Sequence, residues 1–533
     1  MTADSGRGRF AAAVTFAFLA VAGLGILRHE MWRDEMQAWM LAADSRSPAE
    51  LLHNMRYEGH PALWHLLVFA ISRFTRRPEA MQLLHLLVAA ASVWLFARFA
   101  PFSARARALF AFGYFPLYEY GIISRNYALG VLLVLAFCAV RSARPRAWLA
   151  QGAILAALTQ TNPYAWILSA VLATMAVFAG LRDAEARRAA ASRPWQPVLA
   201  AALFAAAGGA AVLQMLPPAD GGYAVGWRSW WDANGAVTVL ATVAHADLPL
   251  PDVGSFAAWN TSLLWRLGYG PMAAVGVALI AAAAASLRRT PGALFLYLSG
   301  TAAYLAFTYC KYFGQLRHHG HHFLLLVACL WLAWGKGGSD RGREALLTGL
   351  LLVHLAAGAV LYSLDLGLPF SASKAAAEVL RANGLAAAPI AATQDNLVSP
   401  VSGYLGRPLY FLESRNLGRF ILWNKQRLER LSAEETCNRL REWLARTGGA
   451  TVLMSTRPPP TCGPELDMAL VAEVPQGMAP RERYWVLVVR ELAAGHQASA
   501  APSLTSTAPC VAASSRPPRR RPPSPALASG NGG

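Results

Sequence analysis

The sequence predicts an α-helical polytopic membrane protein with a small α/β domain towards its carboxyl end. The chain of 533 residues is 55% hydrophobic and 15% charged, and its mean hydropathy is +0.33, which is unusual for a soluble protein. Apolar runs fill the first part of the chain, whereas charges of both signs become frequent after Gly367. We therefore predict a membrane domain at residues 1–366, an α/β domain at 367–493 and a disordered tail, rich in Ala, Ser, Pro and Arg, at 494–533.

Eleven apolar runs are long enough, or nearly so, to cross a bilayer. They cover residues 10–27, 80–99, 106–122, 126–141, 146–160, 164–181, 196–216, 263–286, 292–310, 322–336 and 344–363. The first run also fits a signal peptide with a cleavage site at Ala20-Val21-Ala22, but a first span explains the same residues. The run Pro61–Phe74 is too short for a straight span, so charge must decide where it lies.

Basic residues cluster in short loops between the apolar runs, which is how cytoplasmic Lys and Arg set the orientation of membrane proteins. If Pro61–Phe74 is an interfacial helix, the cytoplasmic loops carry Arg7, Arg9, Arg98, Arg105, Arg107, Arg141, Arg144, Arg146, Arg182, Arg187, Arg188, Arg193, Arg288, Arg289, Lys336, Arg341 and Arg343. The short outside loops then carry Arg125, Lys311 and Arg317. We expect a cytoplasmic amino terminus, an extracytoplasmic α/β domain and no nucleic-acid partner, despite the net charge of +18.

The α/β prediction for the carboxyl domain rests on short apolar runs that alternate with helical stretches. The runs are Ile390–Thr393, Leu409–Leu412, Ala450–Met454 and Tyr484–Val489, and the helical stretches are Ser373–Ala382 and Ala433–Arg446. Cys437 and Cys462 are consistent with a disulfide in an exported domain and equally with free thiols. The six cysteines show no metal-binding spacing.

A long outside loop, Pro217–Asn260, separates two of the predicted spans and is rich in Gly, Trp and Asp. Loops of this length are usually functional or disordered. Trp227, Trp230 and Trp231 in this loop favour a role at the membrane interface or over a ligand.

The first outside loop has a distinctive order: an apolar span, the pair Asp34-Glu35, a polar stretch, His60-Pro61, and the short apolar run. Acids beside a span are either solvated or functional. Here the order resembles the first extracytoplasmic loop of the GT-C glycosyltransferases, in the family 39 branch of protein-mannosyltransferases and aminoarabinose transferases, which use polyprenyl-phosphate sugars. The resemblance covers residues 1–365. It implies that Asp34 is the catalytic base, that its neighbour Glu35 is the second candidate catalytic acid, and that His60 binds substrate.

The second outside loop reads Ser124-Arg125-Asn126-Tyr127-Ala128-Leu129. It resembles the family's Ser-x-x-x-Arg-x-Tyr-Ala-Leu segment, although the spacing between Ser and Arg is shorter. The resemblance implies that Arg125 and Tyr127 bind substrate, whereas an arginine that snorkels to the interface is the simpler alternative for Arg125. The acid that many relatives place further along is absent, so Glu119 is the remaining candidate for a second carboxylate.

The third cluster runs from Lys311 to His322 and contains four histidines. A metal site, plain interfacial residues and a phosphate site are the three interpretations. No carboxylate or cysteine lies among the histidines, so we expect no metal and no cofactor. Lys311, Arg317, His318 and His319 favour binding of a lipid phosphate leaving group.

Together these motifs predict an integral-membrane glycosyltransferase of the bacterial cell envelope, in the cytoplasmic (inner) membrane with its site on the outer face. It would move a hexosyl or pentosyl group from a polyprenyl-phosphate donor to an acceptor hydroxyl, with membrane lipid as its other partner; the sequence does not identify the acceptor. One alternative is a transporter or flippase of lipid-linked or envelope precursors, although we find no internal repeat. Another is an assembly or sensor protein whose exported domain is the working part.

Overall fold

The computed structural model describes residues 3–222, 226–255, 258–336 and 340–492. The helices of the first part are α1 (Ala3–Arg28), α2 (Arg33–Asp44), α3 (Pro48–Asn54), α4 (Leu63–Ser72), α5 (Glu79–Phe99), α6 (Ala104–Ala111), α7 (Tyr127–Ala143), α8 (Trp148–Thr159), α9 (Pro163–Arg182), α10 (Ala184–Ser192), α11 (Trp195–Met215), α12 (Ala233–Asp247), α13 (Tyr269–Leu287), α14 (Pro291–Cys310), α15 (Leu316–Ala333) and α16 (Asp340–Gly367). The carboxyl part contains α17 (Ser373–Ala382), β1 (Ile390–Ala392), α18 (Asp395–Leu405), β2 (Leu409–Phe411), β3 (Asn416–Gly418), α19 (Ala433–Thr447), β4 (Ala450–Ser455), β5 (Leu466–Val474) and β6 (Tyr484–Glu491). The tail predicted at 494–533 lies outside the described residues.

Among the described residues, 7 helices are long and apolar enough to cross a membrane: α1, α5, α9, α11, α13, α14 and α16. Shorter apolar helices are α4, α7 and α8. The structure is thus mostly helical, as predicted. The short run Pro61–Phe74 forms α4, and its place in the interface stays a prediction.

Three expectations about the membrane part need correction. The run 106–122 is not one helix, because α6 ends at Ala111 and a π-helical turn, Tyr114–Glu119, follows. The long outside loop contains α12, which Asp232 caps by accepting the N–H groups of Asn234 and Gly235. The histidines expected in a loop before residue 322 lie in the first turns of α15.

The loops that we expect in the cytoplasm meet at one end of the helical bundle. Contacts between them join Arg107 with Phe10, Ser103 with Glu344, Arg343 with Thr290, and Arg146 with Glu185. At the opposite end, His29 after α1 bonds Asp365 near the end of α16, at 2.9 Å. The two sets of loops are therefore segregated as the charge pattern requires, and which end faces the cytoplasm stays a prediction.

Helix α15 lies at the centre of the bundle, since all of its residues are buried. It packs against α7, α12 and α14. Its first two turns carry the polar residues and its remainder is apolar. The contact of Arg317 with Asp34 puts the polar end beside α2. This arrangement positions the candidate site.

The carboxyl part forms a six-stranded sheet in the order β3-β2-β1-β4-β6-β5. Strand β1 is parallel to β2 and β4, while the other pairs are antiparallel. Helices cover the sheet, which confirms the α/β prediction. Cys437 in α19 forms a disulfide with Cys462.

The sheet part docks on α2 of the first loop. Arg419 bonds Asp44 at 2.7 Å, and the Tyr404 hydroxyl donates to the Met31 carbonyl at 3.2 Å. Helix α18 packs along α2. Residues 416–424 are thereby held next to the loop that carries Asp34 and Glu35.

Candidate active site

Three helices begin at the same place. Helix α2 starts at Arg33, α7 at Tyr127 and α15 at Leu316. The first turn of a helix carries unpaired N–H groups and a partial positive charge, which favour an anion. Asp34, Arg125 and Arg317 lie in or just before these first turns, so the fold itself concentrates positive potential where they meet.

Asp34 is the centre of what we call the arginine cluster, which Arg33, Arg125 and Arg317 form around it. Arg125 Nη1 and Arg317 Nη2 lie 2.9 and 3.1 Å from the same oxygen, Asp34 Oδ2. Arg33 Nε lies 3.5 Å from the other oxygen. Burial alone would raise the pKa of Asp34, but the guanidinium groups of Arg125, Arg317 and Arg33 lower it to about 2. Three cations facing one carboxylate leave an excess of positive charge, and Asp34 keeps 23% of its side chain exposed, so solvent reaches the cluster.

Arg317 is the least satisfied member of the cluster. Its side chain is 7% exposed, and its Nε and Nη1 atoms have no hydrogen-bond partner among the described residues. The rings of Trp32 and Trp259 flank its guanidinium at 5.3 and 5.9 Å. Buried polar groups are normally hydrogen-bonded, so these two nitrogen atoms point to a ligand.

Glu119 bonds to aromatic residues and not to the arginine cluster itself. Its carboxylate accepts from the Trp259 indole N–H at 3.0 Å and from the Tyr114 hydroxyl at 2.7 Å. The carboxylate thus fixes the ring that covers Arg317. Sequence reasoning predicted Glu119 as a second acid at the substrate; the structure places it behind Trp259.

Glu35 points away from the arginines into the protein. It accepts hydrogen bonds from the backbone N–H of Trp32 at 3.1 Å, from the backbone N–H of Ser124 at 2.6 Å, and from His29 Nε2 at 3.1 Å. The first bond caps α2. The second holds the backbone just before Arg125, so Glu35 positions that arginine beside Asp34.

The first turn of α15 is fixed by its own polar residues. Gln315 N–H donates to His318 Nδ1 at 2.9 Å, so the proton of this neutral ring is on Nε2, which lies 3.0 Å from the Tyr127 hydroxyl. The Tyr120 hydroxyl donates to the Arg317 carbonyl at 2.6 Å. Tyr127 and His318 therefore lock α7 to α15 and keep Arg125 and Arg317 together.

The other histidines of α15 face different partners because successive residues of a helix point about 100° apart. His319 Nε2 bonds the Phe313 carbonyl at 2.9 Å, His321 Nδ1 bonds the His318 carbonyl at 2.9 Å, and His322 Nδ1 lies 3.3 Å from Asp247 on α12. No group of three His, Cys, Asp or Glu residues within the described ranges is arranged to hold a metal ion.

Lys311 and His60 occupy different positions relative to the cluster. Lys311 Nζ lies 5.2 Å from the centre of the exposed Trp227 ring. His60 does reach the cluster electrostatically, since burial and the charge of Arg125 lower its pKa to about 3. Its Nδ1 is buried without a partner in the described structure.

Glu58 is an acid of the same loop that sequence reasoning did not single out. It precedes Gly59, whose positive φ of 64° turns the chain back towards α2. Its Oε1 accepts from Gln37 Nε2 at 2.8 Å. Burial raises the pKa of Glu58 to about 7, although the Gln37 hydrogen bond and the charge of Arg125 oppose this. The signal in the sequence that could have indicated Glu58 was its position two residues before His60-Pro61.

Comparison with known proteins finds similar solved structures and no related sequence. No protein-family model matches the chain, and no curated protein sequence does. The crystal structure of ArnT from Cupriavidus metallidurans in the apo state has a TM-score of 0.39 and 14% identity, over 90% of this chain and 98% of that chain. The arabinofuranosyltransferase AftD from Mycobacteria has a TM-score of 0.38 and 14% identity, over 92% of this chain and 40% of that chain. Both of these solved structures are of GT-C glycosyltransferases.

Proposed function

We propose that this protein is an integral-membrane glycosyltransferase that moves a sugar from a polyprenyl-phosphate donor to an acceptor hydroxyl. The observation that carries the proposal is Arg317, a buried guanidinium with two unpartnered nitrogen atoms. Leaving such donors unbonded costs free energy, which an anionic ligand recovers. A phosphate group matches this demand, because its anionic oxygen atoms accept strong charge-assisted hydrogen bonds from arginine.

The cluster also suits the reaction and not merely binding. When the bond between the sugar and the phosphate breaks, negative charge develops on the lipid phosphate. Arg125 and Arg317 are held in place before that charge appears, so they stabilise the transition state more than the intact donor. Trp32 and Trp259 exclude water from one side of Arg317, which strengthens its electrostatic interactions.

Asp34 is the counter-ion of this cluster in the ligand-free protein. Asp34 bonds Nη2 of Arg317 and leaves Nε and Nη1 for a donor phosphate. Asp34 thus keeps the arginines ordered until the donor arrives. This role differs from the role of catalytic base that the resemblance implies for Asp34.

Two features support an extracytoplasmic site in the bacterial inner membrane. The arginine cluster lies at the end of the bundle opposite the basic loops, and the sheet part next to it contains the Cys437–Cys462 disulfide, which suits an oxidising compartment. Topology reporters fused after Phe74 and after Gly367 should both be extracytoplasmic. A cytoplasmic signal at Gly367 would overturn this sidedness.

The test uses purified full-length protein in lipid nanodiscs with a radiolabelled polyprenyl-phosphate sugar. We expect release or transfer of the label by the wild type. We expect almost none from Arg317→Ala, and unchanged activity in the matched variant Arg266→Ala, whose arginine is 55% exposed and pairs with Asp252.

A flippase would behave differently in the same system. In sealed vesicles it would move the labelled donor between leaflets and leave the sugar attached to the phosphate. Movement of intact donor without cleavage would therefore replace the glycosyltransferase proposal with the transporter alternative.

A further inference from the structure

A polar cleft of about 380 Å³ lies in the carboxyl part of the molecule. One wall is the turn that leads into β3 together with its first residues, 414–417, and the other wall is formed by residues of the segment 420–427. The volume falls in the range of roughly 300–1,000 Å³ that is usual for small-molecule sites. The described lining includes no residue of the arginine cluster, so the cleft is a second place where a ligand can bind.

The wall 420–427 is bonded to the loops around the candidate active site. The Ile421 carbonyl accepts from Gln37 Nε2 at 2.8 Å, and the Ile421 N–H donates to Gln37 Oε1 at 3.0 Å. The Trp423 carbonyl accepts the Gly222 N–H at 2.8 Å. The wall is therefore held in place before a ligand arrives, which lowers the cost of binding.

The charges of the cleft argue against an anionic ligand. Arg427 donates to Asp395 through Nε at 2.8 Å and through Nη2 at 2.6 Å. Arg415 Nη2 lies 3.2 Å from Glu442 Oε1 and 3.6 Å from Glu435 Oε1. Each arginine of the lining thus already faces a carboxylate, whereas the arginine cluster has three cations around one acid. The cleft therefore lacks the excess of positive charge that favours a phosphate.

Amide side chains provide most of the remaining polar groups. Asn416, Asn424 and Gln426 line the cleft, and an amide offers both a carbonyl acceptor and an N–H donor. Sugar hydroxyls also donate and accept, so they can bond to an amide in either direction. Leu417 and Phe420 add apolar surface, against which the C–H faces of a sugar ring can pack. This combination suits a neutral carbohydrate.

We propose that this cleft binds a neutral glycan and that this glycan is the acceptor of the transfer reaction. The inference rests on the proposed function, which requires an acceptor hydroxyl near the arginine cluster. Asp34 and Gln37 are three residues apart in α2 and so lie on one face of that helix. Because Gln37 holds Ile421 of the cleft wall, the same helical face connects the glycan cleft with the arginine cluster.

The first experiment measures binding without any donor. Full-length protein in nanodiscs is tested against an array of neutral oligosaccharides and of acidic ones that carry uronate or phosphate groups. The wild type should bind neutral members, and acidic groups should bring no gain in affinity. Asn416→Ala and Gln426→Ala should each weaken binding about threefold to tenfold, as expected for the loss of one hydrogen bond.

A matched variant is Asn383→Ala, which removes an exposed amide that bonds the Val379 carbonyl and does not line the cleft. It should bind as the wild type does. Asn416 and Gln426 are exposed and belong to different walls, so their replacement should leave the thermal midpoint unchanged. If one variant does not fold, the other decides.

The second experiment measures transfer to a neutral oligosaccharide that binds, offered in free form and on a lipid anchor. Asn416→Ala and Gln426→Ala should raise the KM for this acceptor and leave kcat within about twofold, as expected when an interaction common to ground state and transition state is lost. Label on the free oligosaccharide would identify a polysaccharide acceptor. Label on the anchored form alone would identify a glycolipid acceptor.

Failure of the wild type to bind any neutral oligosaccharide, or equal affinities in the wild type and both cleft variants, would overturn the glycan site. Tighter binding of the acidic members would overturn its neutral character. Donor cleavage without transfer to a bound glycan would overturn the acceptor role. If the wild type binds a glycan but cleaves no donor, the proposed function is overturned and the cleft remains a glycan site.

Discussion

Asp34 and Glu35 are neighbours in sequence, yet they belong to two different regions of the molecule. Asp34 lies in the arginine cluster, which is partly open to solvent and contains unpartnered donors on Arg317. Glu35 is fully buried in what we call the His29 node, formed by His29, Glu35, Ser124 and Asp365. In the node Glu35 is paired with His29 and held by backbone N–H groups on both of its oxygen atoms.

The difference shows how one helical turn can serve chemistry and structure together. Adjacent residues of a helix point about 100° apart, so one acid faces the site while the other faces the core. In the His29 node, both acids are paired with His29. The arginine cluster instead has an excess of positive charge, and two nitrogen atoms of Arg317 lack a hydrogen-bond partner among the described residues. Such departures from local consistency are typical of functional sites. The two regions should therefore respond differently to mutation.

The largest effect should come from Arg317→Ala. This change removes the cation that stabilises charge on the leaving phosphate, and loss of one such group typically costs about 10²-fold to 10³-fold in kcat. Arg317→Lys should lose less, since it keeps the charge without the bidentate fork. Transfer from the labelled donor measures both.

The thermal stability of Arg317→Ala separates the two regions. We expect it to stay close to that of the wild type, because Arg317 has few bonds to lose. If Arg317→Ala is strongly destabilised while its remaining folded fraction keeps full activity, then Arg317 is a structural residue and not part of the active site.

The second prediction concerns the His29 node. Burial alone would lower the pKa of His29, but the carboxylates of Asp365 and Glu35 raise it well above its usual value. His29→Ala leaves two buried acids without their cation, and breaking a buried pair typically costs about 3–5 kcal/mol. We expect a clearly lower thermal midpoint in detergent, with near-normal turnover in the protein that remains folded.

The pH dependence of stability tests the same node. A group whose folded pKa is raised stabilises the protein fully below its unfolded pKa, here about 6.5, and loses that contribution as pH rises through the folded value. The wild type should therefore lose this stabilisation at alkaline pH, and His29→Ala should not show the loss. Equal pH profiles for the two proteins would contradict the pairing.

Much of the fold was predictable because it follows from residue periodicity. Helix α17 has the bounds expected from the sequence, and the four expected strands form. The strands β3 and β5 were missed: β3 is a three-residue exposed edge and β5 is largely exposed, so hydrophobic patterning says little about either. Helix α12 was missed because its partners α13 and α15, rather than a long apolar run, stabilise it.

The site was only partly predictable because its members come from distant loops. Short motifs indicated Asp34, Arg125 and Arg317, which the structure brings together. They could not reveal that Glu35 and Glu119 bond to protein groups, since that depends on where Ser124 and Trp259 lie. Glu58 was missed because its relation to Gln37 depends on Ile421, far away along the chain.

A smaller effect is expected from Trp259→Ala. This change opens one face of Arg317 to water and leaves Glu119 without its indole partner, so the electrostatic stabilisation of the leaving group weakens. We expect about a tenfold loss of kcat, equivalent to about 1.4 kcal/mol. The matched variant Trp259→Phe keeps an aromatic ring over Arg317 but loses the indole N–H, so its kcat should lie between those of the wild type and Trp259→Ala. An unaffected rate in Trp259→Ala would show that the indole ring does not shield Arg317 during catalysis.

The smallest effects should follow from His319→Ala and from chelators. His319 bonds the Phe313 carbonyl and lies 3.4 Å from His245, so its removal should loosen the loop before α15 and leave Asp34 and both arginines in place. We expect less than about a threefold change in rate, well below the cost of losing a group that stabilises the transition state.

His318→Ala should lower the rate more than His319→Ala but less than Arg317→Ala, because His318 ties α15 to Tyr127. Turnover with and without EDTA completes the comparison. If EDTA abolishes activity and His319→Ala fails before Arg317→Ala does, the histidines of α15 hold a metal and the phosphate assignment of the arginine cluster is wrong.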